Sequence, residues 1–176
     1  GVQAIAELVM GGARQRLAED RPNLLAGGAA VARRAAPQRV DELGIEIVTK
    51  TVAAIGEIQQ ATEALGDVDA IYVPTDNMVV EGIESLVGIA ETKQIPVIAA
   101  EAGTVEGGAL ATIGIDYFNL GYQTGEMAIR ILEGADPAST PVEFANEFTY
   151  LVNTGAAERM GATVPDSILE QADTIE

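Results

Sequence analysis

The chain has 176 residues, 48% of them hydrophobic, with 27 acidic against 10 basic side chains and a formal net charge of −17. This length suits one well-packed domain, and such a charge repels nucleic-acid phosphates and anionic lipid surfaces, which argues against nucleic acid as a partner. With no Cys and no His, the chain cannot build a thiol nucleophile, a disulfide, a Ser-His-Asp triad or the usual zinc site. No stretch approaches the roughly 18 apolar residues of a membrane span, and Gly1-Val2-Gln3 opens without the basic and apolar segments of an export signal. Absence of Cys is compatible with an oxidising compartment but does not require one.

Residues 1 to 43 hold six Arg and five acids, whereas the rest carries 4 basic and 22 acidic residues. This leader is rich in Ala, Gly and Arg and is interrupted by Gly11-Gly12, Pro22, Gly27-Gly28 and Pro37. A helix over Ala4 to Ala18, and a second over Ala29 to Leu43 kinked at Pro37, are its only patterns. No strand is legible there, and residues 1 to 43 read as an irregular or helical leader.

From Gly44 the periodicity sharpens. Ile45 to Thr49 has strand length and β-branched content, and a helix from about Ala54 to Leu65 follows with Ile55, Ile58, Ala61, Thr62 and Leu65 on one stripe. Ala70-Ile71-Tyr72-Val73, closed by Pro74-Thr75-Asp76-Asn77, reads as a strand buried on both faces. A helix from about Val79 to Lys93 turns Val79, Ile83, Leu86, Val87 and Ala90 inward, and Ile95 to Ala100 is the next strand. Crossovers of this length imply parallel strands joined right-handedly.

A short strand Ala109 to Ile113 then leads to a turn at Asp116 and Tyr117. The following helix, about Asn119 to Glu133, takes Asn119 as N-cap and Gly134 as terminator, and Leu120, Met127, Ile131 and Leu132 are its candidate core face. Phe144 to Val152 reads as one strand with a bulge. Asn153 caps a short helix ending at Gly161, and Pro165 to Ala172 is the last helix. The pattern is that of an α/β parallel-sheet, three-layer lobe.

Ligands of open parallel sheets bind beyond the carboxyl ends of the strands. If the strands ending at Val73 and Ala100 and the one before Asp116 are neighbours, three tips open on one edge: Thr75, Asp76 and Asn77; Glu101, Ala102 and Gly103; and Asp116 with Tyr117. Carboxylates there suit an ammonium, helix-start N–H groups a carboxylate, and a ring an apolar body, so the set fits a small zwitterion. Plainer roles stand beside these: Asp76-Asn77 as a helix cap, Glu101 as a solvated loop residue, and Tyr117-Phe118 as a packing plug. No Gly-x-Gly-x-x-Gly opens a helix after a strand and no Gly-Lys-Ser/Thr occurs, so no cofactor is expected. Asp76 and Glu101 lack the third ligand or spacing of a metal or acid-base site, so no catalysis is expected either.

In order, Leu43 to Val48, Asp69 to Asn77, Ile95 to Ala99, Glu106 to Tyr117, Leu120 to Gly125 and Val152 to Ile168 resemble the carboxyl-terminal part of ABC-transporter substrate-binding proteins of the tryptophan/tyrosine-binding type. The resemblance covers roughly residues 43 to 173. It implies a type I periplasmic-binding-protein fold, with two α/β lobes, three hinge crossovers and a ligand closed between the lobes. Residues 44 to 176 would be one solute-binding lobe with hinge-crossing segments, and the first lobe would be missing. The segment 109 to 134 would cross to the other lobe and 144 to 152 would return. Thr75, Asp76, Asn77 and Glu101 to Gly103 would be ligand-facing tips, and Asp116 the hinge-side carboxylate meeting a ligand amino group. The implied partners are an amino-acid-like small molecule and ABC permease subunits, in the periplasm or outside the cell. The alternatives are a flavodoxin-like regulatory or enzymatic domain and an inactive fragment.

Overall fold

The computed structural model describes residues 23–26 and 46–176. Among these, one seven-stranded sheet is built from β1 (Asn23–Ala26), β2 (Glu46–Val48), β3 (Ala70–Val73), β4 (Val97–Ala99), β5 (Ala111–Ile115), β6 (Phe148–Asn153) and β7 (Asp173–Ile175), in the order β2-β1-β3-β4-β5-β6-β7. All neighbours are parallel except β5 and β6, which pair antiparallel from Ala111↔Val152 to Ile115↔Phe148. Order reverses beside β1, because the chain steps outward to β2 and then crosses back to β3.

β1 corrects the reading of the leader as strand-free. Asn23-Leu24-Leu25-Ala26 lies between β2 and β3 and is hydrogen-bonded to both. Four residues without a β-branched side chain offer neither alternation nor propensity, so only pairing on two sides makes them a strand. The helices expected over 4 to 18 and 29 to 43 lie outside the described residues.

β3 and β4 form the apolar centre. Ala70, Ile71 and Val73 are buried, as are Val97, Ile98 and Ala99, because helices cover parallel strands on both faces. The connections are a 3₁₀ turn (Ile55–Glu57) and α1 (Ile58–Glu63), then α2 (Asn77–Glu81) and α3 (Ile83–Lys93), then α4 (Ala102–Glu106). The helix expected as one piece from Val79 to Lys93 is interrupted at Gly82. A Cβ there would lie 2.4 Å from Ile58 Cδ1 and 2.9 Å from Ile55 Cγ2, so the glycine admits the close approach of α1. Ile58, Thr62 and Leu65 of the expected stripe are buried, while Ile55 stays exposed.

α5 (Tyr117–Leu132) behaves differently: none of its residues is buried. Leu120, Met127 and Ile131 are only half-buried and Leu132 is 86% exposed, so the expected core face finds no core among the described residues. Asp116, not Asn119, is its N-cap. The strand expected from Phe144 starts only at Phe148, since the last β5 partner is Ile115. Residues 143 and 144 instead lie along α5: Gln123 Nε2 donates to Glu143 Oε2 (3.2 Å) and to the Phe144 carbonyl (3.1 Å), and Arg130 pairs with Glu143. α6 (Thr154–Arg159) starts at its expected cap, Asn153, whose Oδ1 accepts from Ala156 N at 2.7 Å. α7 (Asp166–Leu169) precedes β7 (Asp173–Ile175), whose 3 residues include β-branched Thr174 and Ile175 but are too few to show alternation.

Candidate functional site

β3, β4 and β5 are adjacent and parallel, so the residues following them emerge at one edge of the sheet. That edge carries all three predicted tips: Thr75, Asp76 and Asn77 after β3; Glu101, Ala102 and Gly103 after β4; Asp116 and Tyr117 after β5. Each tip opens a helix, and each of the three carboxylates sits at the N-cap position of its helix.

Local geometry gives the carboxylates different commitments. Asp76 Oδ1 accepts from Met78 N (3.0 Å) and Val79 N (3.3 Å), which satisfies orphan donors of α2 and leaves Oδ2 outside the cap. Glu101 makes no cap bond; its Oε1 accepts from the buried Thr104 hydroxyl at 3.3 Å. Asp116 accepts through both oxygens, Oδ1 from Asn119 N (3.0 Å) and Oδ2 from Asn119 Nδ2 (2.9 Å). The same Nδ2 donates to Glu147 Oε2 at 2.6 Å.

Asp76, Glu101 and Asp116 are half-buried, whereas Thr75, Asn77, Gly103 and Tyr117 are exposed. Tyr117 does not plug a core: its ring is 60% exposed, and Phe118 beside it is 82% exposed. Among the described residues no three Asp or Glu side chains gather so as to hold a metal ion. The chemistry on offer is hydrogen-bond acceptance with negative charge, suited to a cationic group, beside helix starts and an exposed ring.

Thr104, Asn119 and Glu147 were not among the predicted site residues. Thr104 stands three residues after Glu101 and Asn119 three after Asp116, a spacing that puts a side chain back over its helix start. Glu147 is 31 positions from Asp116 and reaches it only through the antiparallel pairing of β5 and β6.

Comparison with known proteins bears on the family and the fold. A family profile described as ABC transporter substrate binding protein matches residues 15–176. The match begins well upstream of Leu43, in agreement with a leader strand that belongs to the sheet. A tyrosine-binding protein of Clostridioides difficile is 42% identical over 109 residues, covering 61% of this chain and 32% of that protein. A conserved domain protein from Vibrio cholerae has a solved structure superposing with a TM-score of 0.80 at 28% identity, over 99% of this chain and 58% of that one. A Streptococcus pneumoniae ABC domain in complex with L-Trp gives a TM-score of 0.74 at 27% identity, covering 97% of this chain and 60% of that one. The chain thus spans about a third of that curated relative's length and 58–60% of those two solved structures. With its mostly parallel α/β sheet and a match over nearly its whole length, the chain belongs to the family of ABC transporter substrate-binding proteins.

Proposed function

We propose that this chain forms one jaw of a two-jaw site for an amino-acid-like, aromatic ligand delivered to an ABC importer, and that it performs no chemistry on that ligand. The observation that carries the reading is the gathering of Asp76, Glu101 and Asp116 at one sheet edge, in a chain whose relatives include a tyrosine-binding protein and a domain with L-Trp bound. Asp116 and Asp76 offer charge-assisted acceptors to an α-ammonium, and Tyr117 offers a ring. Thr75, Asn77, Ala102 and Gly103 line the same tips.

The other jaw is a first lobe outside this chain. Two observations support it: the solved relatives are longer, and α5, with the neighbouring Phe144 and Phe148, leaves apolar side chains uncovered. Ligand binding closes the jaws because the ligand makes more contacts in the closed state than in the open one. The permease subunits are the macromolecular partners, and the setting is the periplasm or the cell exterior. No helix of the described residues is long and apolar enough to cross a membrane.

Nuclear magnetic resonance titration of the chain with L-tyrosine and L-tryptophan tests the reading. Half a site gives affinity in the range of about 1 mM, equivalent to roughly 4 kcal/mol, with shifts concentrated at 75–77, 101–103 and 116–117. Micromolar binding overturns the need for a second jaw. Absence of shifts at the three tips overturns the ligand class.

A further inference from the structure

The chain leaves the sheet through β5 into α5 and returns through residues 143 to 147 into β6, so Asp116 and Glu147 stand side by side at the two strands of this neck. Their backbones approach each other, with Asp116 N 3.5 Å from the Glu147 carbonyl oxygen. Asn119, in the first turn of α5, spans both. Its backbone N–H goes to Asp116 Oδ1, and its side-chain amide goes to Asp116 Oδ2 at 2.9 Å and Glu147 Oε2 at 2.6 Å.

One residue therefore donates to both oxygens of Asp116, which fixes the plane of that carboxylate. An ionised carboxylate has about four acceptor positions, so about two remain for a ligand. The amide carries no charge, so it orients Asp116 without neutralising it. A cationic side chain at 119 would orient the carboxylate equally well and cancel the charge that a ligand ammonium needs. Asn119 also carries more than a cap requires. The backbone bond to Oδ1 already supplies the cap, and the side-chain Nδ2 donates to both carboxylates.

We infer that Asn119 is the positioning residue of the binding site: its amide holds the Asp116 carboxylate, braced against Glu147, in the orientation that receives the ligand's α-ammonium. This rests on the reading of Asp116 as the ammonium contact. It assigns to Asn119 a role in distinguishing amines from their deaminated analogues, with no contact between Asn119 and the ligand.

The test compares L-tyrosine with 3-(4-hydroxyphenyl)propionate, which lacks only the α-ammonium, by magnetic resonance titration of the unmodified chain, Asn119→Ala and Asp116→Asn. Asn119→Ala is expected to lower the amine-over-analogue affinity ratio by roughly five- to tenfold, the scale of one typical net hydrogen bond, with affinity for the analogue unchanged. A variant that weakens both ligands equally, or neither, overturns the inference and leaves Asn119 a structural residue. Asp116→Asn separates the two levels. If it collapses the ratio while Asn119→Ala does not, only the role of Asn119 falls. If it leaves the ratio unchanged, the reading of Asp116 falls and the inference with it. Urea unfolding of each variant guards against misfolding; Asn119 is only half-buried and Ala is the better helix former, so Asn119→Ala is expected to fold.

Discussion

Asp76 caps α2 and, in the proposed reading, also faces the ligand, and two substitutions separate these roles. Asp76→Ala removes both hydrogen bonds that its Oδ1 accepts, from Met78 N and Val79 N. Loss of an N-cap costs about 1 kcal/mol, within a range of about 0.5–2. Because Val79 is buried and α2 runs into α3 across Gly82, fraying here is coupled to the core and not confined to a surface turn. The loss corresponds to a fall in Tm of roughly 2–4 °C for a domain of this size. Asp76→Asn keeps an oxygen in the same place, and Asn caps about as well as Asp, so its stability is expected within a few tenths of a kcal/mol of the parent chain. The substitution does remove the negative charge. Urea unfolding followed by circular dichroism reads the first effect as a shift of midpoint at constant slope. Titration with L-tyrosine reads the second, where Asn is expected to bind more weakly. The reasoning fails if Ala and Asn destabilise equally, since the cap would then depend on charge and not on the accepted bonds. It also fails if Ala leaves the midpoint unmoved.

Leu110 is fully buried beside β4, its N–H donating to the Val97 carbonyl at 2.8 Å; Leu110→Ala is expected to cost about 2–5 kcal/mol by urea unfolding, and a loss under about 1 would show a site able to collapse. Burial pushes the Tyr72 phenol above its ordinary value of 10.0. The folded chain then holds that proton more tightly than the unfolded one, so this group's contribution to stability is intact below pH about 10 and is lost as pH rises from there through the folded value. Absorbance titration at 295 nm should show a late-ionising phase that Tyr72→Phe abolishes.

The local chemistry of the chain marks most of the elements that build the candidate site. Ala70 to Val73 was legible because a strand buried on both faces is a short apolar run, and Pro74-Thr75-Asp76-Asn77 ends it as turn and cap residues do. The three tips were legible for the same reason, since strand ends and helix starts are written in adjacent residues. The ordered segments after Leu43 carry the family resemblance by themselves. The sequence suggests Asn119 as the cap, whereas Asp116 caps the helix and Asn119 donates to it, because Asp and Asn are both good caps and sequence alone does not rank two of them three residues apart.

Other features exist only through contacts between distant residues. β1 is a strand because neighbours hydrogen-bond to it on both sides, not because Asn-Leu-Leu-Ala prefers the conformation, and β7, although it holds β-branched Thr and Ile, is too short at 3 residues to be read without its pairing to β6. The break at Gly82 follows from the approach of Ile58, which no periodicity within the helix encodes. The periodic face of α5 correctly announced a helix but not its surroundings, because amphipathicity records that a face seeks apolar cover and says nothing about where that cover lies. The joining of Asp116 to Glu147 through Asn119 required β5 and β6 to pair antiparallel. A carboxylate's identity and its cap are matters of adjacent residues, whereas its second neighbour is a matter of topology.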